Sequence, residues 1–147
     1  MNPPGGTSID PSSLAIGDIV AHAEFRVRRI DLVKYAGASG DFNPIHWNER
    51  TATSVGLPDV IAHGMFTMAQ AGRAVTDWIG DPGRLEQFTV RFSSPVVVAD
   101  DDSGAGVEVT VRVAELLDSG DRVRLDITAH SEGSEVLGHA SAVARLR

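Results

Sequence analysis

In the second half of the chain, apolar and polar residues alternate with the period of a pleated strand. Val107, Val109, Val111 and Val113 are separated by Glu108, Thr110 and Arg112, and Val123, Leu125, Ile127 and Ala129 by Arg124, Asp126 and Thr128. Successive side chains of a strand point to opposite faces, so each segment predicts a strand with one buried face. Asp118-Ser119-Gly120-Asp121 between them has the composition of a tight reversal and predicts a hairpin. Residues 16–27, 85–92 and 136–146 supply three further strands of less regular pattern.

The spacing becomes helical over residues 64–79. Met65, Met68, Ala69, Gly72, Val75 and Ile79 recur near every third or fourth position, with Arg73 and Asp77 on other faces. Ala69, Ala71, Gly72 and Ala74 form a small-residue surface that lets a sheet approach closely, and Gly80-Asp81-Pro82-Gly83 stops the helix. Asp31 predicts the cap of a shorter helix carrying Leu32, Val33 and Tyr35, broken by Gly37, Ser39 and Gly40. Another short helix is predicted over 48–54, ending before Gly56-Leu57-Pro58. One long helix with several half-buried antiparallel strands predicts a single α+β domain in which the sheet buries the helix. A length of 147 residues suits one domain with a substantial core.

Composition narrows the function classes. A formal charge of -7 opposes general binding to nucleic acid or anionic membranes. The chain has no cysteine, which excludes disulfides, thiolate metal sites and a cysteine nucleophile, and is compatible with the cytoplasm, the compartment expected here. Residues 1–13, rich in Pro, Gly and Ser, read as a flexible lead-in without a secretory pattern. Arg73 and Asp77 oppose a membrane span in the most apolar helix.

The chemistry concentrates in Gly40-Asp41-Phe42-Asn43-Pro44-Ile45-His46. Pro44 prevents an uninterrupted helix, so a carboxylate and an imidazole are held in one short turn. An acid and a base on one substrate can move a proton from carbon and another to oxygen, the two acts that elimination of water requires. The structural alternative makes Asp41 a turn cap and His46 a surface residue. Asn43 either bonds the turn backbone or points its amide into the site. His63 joins Asp41 and His46 as a potential metal ligand, but the three lack metal-site spacing and no metal is expected. His22, His130 and His139 read as packing or solvent residues, and Asp100-Asp101-Asp102 as a solvated loop. Arg112, Arg122 and Arg124 read as an exposed hairpin face, with carrier phosphates or an acidic carrier protein as the alternative partner.

The stretch Tyr35-Ala36-Gly37-Ala38-Ser39-Gly40-Asp41-Phe42-Asn43-Pro44-Ile45-His46, with Ala52 five intervening residues later, resembles the motif of the MaoC-like, R-specific enoyl-thioester hydratases and dehydratases. Ala62-His63-Gly64-Met65 and Val90-Arg91-Phe92-Ser93-Ser94-Pro95-Val96 resemble the same family in the same order. Two stretches, Asn43-Pro44-Ile45-His46-Trp47 and Thr76-Asp77-Trp78-Ile79-Gly80-Asp81-Pro82-Gly83, are similar to the catalytic B subunit of actinobacterial hydroxyacyl-carrier-protein dehydratases. The resemblance implies a hot-dog fold over residues 14–147, an antiparallel sheet wrapped around a long central helix. It implies reversible syn hydration between trans-2-enoyl and (R)-3-hydroxyacyl thioesters, with Asp41 and His46 catalytic, and places Asn43 in the active site, where its expected contribution in this chain is to orient the turn.

Gly64, at the predicted helix start, would offer an unpaired backbone N–H along the helix dipole to the developing oxyanion, where the family resemblance implies the thioester carbonyl. The structural alternative is a glycine needed only for a tight entry turn. Some relatives carry a serine on the long helix near the position of Ala69, a hydroxyl absent here. Met65, Phe66, Met68 and Trp78 either line an acyl tunnel or form core. Coenzyme A or acyl-carrier protein would enter only as the substrate's carrier, with no cofactor. A lone hot-dog unit leaves a sheet edge and an incomplete tunnel, which implies a homodimer or a heterodimer with another hot-dog subunit. Two alternatives stand beside the lyase: a non-catalytic acyl-binding hot-dog subunit, opposed by the intact Asp41 and His46, and a hot-dog thioesterase, which leaves the paired acid and base unexplained.

Overall fold

The computed structural model describes residues 8–147. Five strands, β1 (Ile19–Val27), β2 (Leu85–Phe92), β3 (Ala105–Leu117), β4 (Arg122–Ser131) and β5 (Ser134–Arg145), form one antiparallel sheet in the order β1-β3-β4-β5-β2. Three α-helices, α1 (Arg29–Ser39), α2 (Glu49–Ser54) and α3 (Gly64–Ile79), precede β2. Alternation sets the layering: the valines of β3 and the apolar residues of β4 are buried and their polar neighbours are not. Register places Val111 opposite Ile127 and Val109 opposite Ala129, so the buried rows of β3 and β4 meet in one apolar surface, against which α3 packs along with β1 and β2.

Gly72, Val75 and Ile79 of the predicted stripe, and Ala71 and Ala74 of the small-residue surface, do face the core, but the N-terminal part of the stripe does not. Thr67, Ala71, Ala74, Val75 and Ile79 are buried together with Gly72, whereas Met65 is 56% exposed and Ala69 is also exposed. The buried face is therefore rotated toward Ala71 and Ala74, where small side chains let the sheet approach closely. Gly72 shows how close: an added Cβ would lie 3.0 Å from the Phe88 ring. The helix stops at Gly80, whose left-handed φ of 76° favours glycine and whose N–H bonds the Thr76 carbonyl.

Asp31 does not sit at the cap of α1. Arg28 occupies that position, and Asp31, at the third helical residue, reaches back to accept the Arg28 N–H at 2.9 Å. Asn48 caps α2 through its side-chain oxygen. Of the sequence-predicted lead-in, residues 1–7 lie outside the described residues; Ile9 donates its N–H to the Leu146 carbonyl at 3.0 Å, and Asp10 caps a 3-10 turn at Pro11–Ser13. On the hairpin, Arg112 donates to the Gly17 carbonyl, Arg122 pairs with Asp118 and Glu86, and Arg124 pairs with Glu115. His22, His130 and His139 are exposed. Among the described residues no helix is long and apolar enough to cross a membrane.

Candidate active site

Short-range hydrogen bonds build the turn that carries the carboxylate and imidazole. Gly40 ends α1 with a φ of 75°, turning the chain out of the helix. Asp41 Oδ1 then accepts the N–H of Asn43 at 3.1 Å, and Asn43 Oδ1 accepts the N–H of Ile45 at 3.2 Å, capping a 3-10 turn at Pro44–His46. Asn43 therefore orients the turn through its side-chain oxygen. Proline at the first position of that turn loses no hydrogen bond, because its N–H would be unpaired there anyway.

His46 is anchored from outside the turn. Its Nδ1 lies 2.7 Å from the carbonyl oxygen of Ile61, an acceptor, so Nδ1 carries the proton and Nε2 keeps its lone pair. Ile61 is itself held: its N–H donates to Ile45, and on either side Ala62 donates to Val96 and Val98 donates to Val60. Nε2 faces Asp41 Oδ2 at 3.9 Å, beyond hydrogen-bond range. One oxygen atom about 2.8 Å from each group fits in that gap. His46 is buried, and loss of hydration holds its pKa below the usual imidazole value, with neighbouring His63 acting in the same direction. The Ile61 carbonyl and the Asp41 carboxylate oppose the shift without reversing it. The imidazole thus meets a ligand neutral, while the Asp41 side chain stays half-exposed.

His63 is the residue the sequence undervalued. It is 1% exposed, its Nε2 donates to the Asp41 main-chain carbonyl at 3.1 Å, and its ring stacks on His46 with centroids 3.8 Å apart and planes 23° apart. The available signal was its place beside Gly64 in the motif. Asp41, His46 and His63 do gather, with one ligand atom from each within 4.8 Å of the others. Their geometry is poor for a metal. In-plane lone pairs of stacked rings lie in separate, nearly parallel planes and do not converge on one ion about 2 Å from both. The remaining ring nitrogens already donate to carbonyls.

A pocket of ≈ 280 Å³ opens beside His46, lined among others by Gly64, Thr67, Phe92, Pro95 and Val136. Gly64 is the first residue of α3, so its N–H has no partner within the helix and stands at the positive end of the dipole. Its backbone is not left-handed. What demands glycine is space: a Cβ would meet the Phe92 ring at 3.1 Å. Thr67, one turn on, is 4% exposed and brings a hydroxyl-bearing side chain to the pocket wall. This hydroxyl stands at a different position from Ala69, where the chain has none. Met65, Phe66, Met68 and Trp78 are not among the pocket walls, and Phe66 packs on Tyr35.

A family model described as "MaoC like domain" matches residues 13–124. Over 109 residues, or 72% of the chain, the sequence is 34% identical to a fatty acid synthase subunit beta of Aspergillus oryzae, of which it spans only 5%. It is 34% identical over 117 residues to a 3-hydroxybutyryl-CoA dehydratase of Methylorubrum extorquens, covering 79% of this chain and 71% of that protein. A solved structure of a MaoC-like dehydratase superposes with a TM-score of 0.90 at 36% identity, covering 95% of this chain and 43% of that one. The five-stranded antiparallel sheet packed on α3 is a hot-dog fold.

Proposed function

The chain belongs to the MaoC-like domain family, and from that membership we propose that it interconverts trans-2-enoyl and (R)-3-hydroxyacyl thioesters by syn addition or loss of water. The observation that carries the reading is a neutral His46 with Nε2 free, 3.9 Å from the Asp41 carboxylate, on a pocket that Gly64 also lines. Resemblance of the segment from Tyr35 to His46 to the R-specific hydratase motif supports the R isomer.

In hydration, a water held between the two groups gives a proton to His46 Nε2 as its oxygen bonds the β-carbon. The imidazolium returns that proton to the α-carbon on the same face, so the addition is syn and the protons balance. Asp41 holds the water's second O–H and offsets the transient imidazolium charge. As the enolate forms, negative charge on the thioester oxygen meets the Gly64 N–H and the α3 dipole. No metal or redox group takes part. Coenzyme A or an acyl-carrier protein bears the acyl group, and the cysteine-free chain is compatible with the cytoplasm as its compartment. Strands β1 and β2 are the edges of the sheet, which supports a dimer with a second copy or another hot-dog subunit.

The test is an assay of the chain, alone and with hot-dog partner subunits, on enoyl thioesters of coenzyme A and of carrier protein. Reversible loss of the conjugated enoyl absorbance with formation of the 3-hydroxy product is expected. Release of free thiol would instead identify a thioesterase, and acyl binding without turnover under every pairing would identify an acyl-binding subunit.

A further inference from the structure

His63 touches both members of the acid–base pair and is sealed from solvent. We propose that it is a positioning residue for the reaction read above: with a proton on Nε2, it pins the Asp41 turn and gives His46 a flat, water-free wall. Three observations carry this. The Nε2–H bond goes to the main-chain carbonyl of Asp41, which fixes that residue from its backbone and leaves its carboxylate for a ligand. The ring covers one face of His46 at a centroid distance of 3.8 Å. Nδ1 is buried with no hydrogen-bond partner among the described residues.

That unpaired nitrogen decides the tautomer. A proton there would be a buried N–H without an acceptor, whereas on Nε2 it meets the Asp41 carbonyl. The titratable groups that face the pair are Asp41, from the loop after α1, and Tyr35, from α1 itself, whose ring packs on His63 at 4.8 Å. The two stacked histidines therefore hold opposite tautomers: His46 has its proton on Nδ1, toward Ile61, and His63 has its proton on Nε2, toward Asp41. Only His46 has a nitrogen free to exchange a proton with a substrate.

Long-range proton–nitrogen spectra of the 15N-labelled full chain read both tautomers directly and do not depend on any activity. We expect the opposite tautomers, with the proton of His46 on Nδ1 and that of His63 on Nε2. Two variants divide the role. His63→Phe keeps the ring wall and loses the donor, so kcat should fall about tenfold with KM little changed. His63→Gln keeps a donor and admits water to the face of His46, so the His46 titration should move up toward about pH 6.5, carrying the acidic limb of the rate profile with it. His63 holding its proton on Nδ1 overturns the proposal. So do wild-type kcat in the Phe variant and an unmoved His46 titration in the Gln variant, taken together. A chain without hydratase activity would refute the reaction while the spectra still decide the tautomers and the His46 shift; if one variant fails to fold, the other and the wild-type spectra remain decisive.

Discussion

Replacing His46 with asparagine separates what the imidazole does for the fold from what it does for a substrate. An asparagine amide can place an N–H near the position of Nδ1 and keep the 2.7 Å bond to the Ile61 carbonyl, but it has nothing in place of Nε2. His46→Ala removes both. The alanine variant strands a carbonyl in a largely buried setting, at a cost of about 1–3 kcal/mol, and also uncovers the face of His63. The asparagine variant loses only the outer part of the ring, and its destabilisation should be about 1 kcal/mol. Turnover should fall at least about 100-fold in both, since both lose the proton acceptor. Enoyl-thioester hydration at saturating substrate gives the first quantity, and denaturant midpoints with unchanged slopes give the second. Near-wild-type turnover in His46→Asn would refute the assignment of Nε2 as the acceptor, and equal stability of the two variants would refute the anchoring role of Nδ1. Asp41→Asn should also lose about 100-fold, and the double variant less than the product of the single losses, because one site is damaged twice.

Other measurements follow from the same geometry. Gly64→Pro removes the proposed oxyanion donor at a helix position that tolerates proline, and should lose about 3 kcal/mol of transition-state stabilisation, mainly in kcat. Gly64→Ala is its control, because an added Cβ crowds Phe92 at 3.1 Å in either variant while alanine keeps the N–H; equal kcat in the two would refute the contact. Because the folded pKa of His46 lies below its unfolded value of about 6.5, the unfolded chain binds the proton first, so its contribution to stability is present above that pH and is lost as pH falls through the folded pKa. Denaturant midpoints measured down the pH scale should fall less steeply in His46→Asn, and an unchanged slope would refute the shift. Arg29 bonds the Val98 carbonyl and Asp59 at 2.6 Å each, tying the start of α1 to the segment before Ile61. Arg29→Met should cost about 1–3 kcal/mol in thermal or denaturant unfolding, and a loss well below that would show the pair to be dispensable.

Much of the fold was legible because it depends on features local to one element. A period of two marks the strands around Val107–Val113 and Val123–Ala129 whatever they pair with, and the proline and glycines around Asp41 and at Gly80 act through their own backbone angles. The hydratase-type motif likewise brought Asp41, Asn43 and His46 into one turn by bonds spanning two residues. Tertiary structure decided what depends on two elements meeting. That Met65 and Ala69 fall outside the buried face of α3 rests on where Phe88 and the sheet approach, not on the helix's own pattern. The Ile61 carbonyl, fifteen residues from His46, sets the tautomer, and the Asp41 carbonyl, twenty-two residues from His63, ties that ring to the site. Periodicity records which face a side chain takes, whereas a proton's place on an imidazole depends on the acceptor brought to it by pairing of segment 60–62 with segment 96–98.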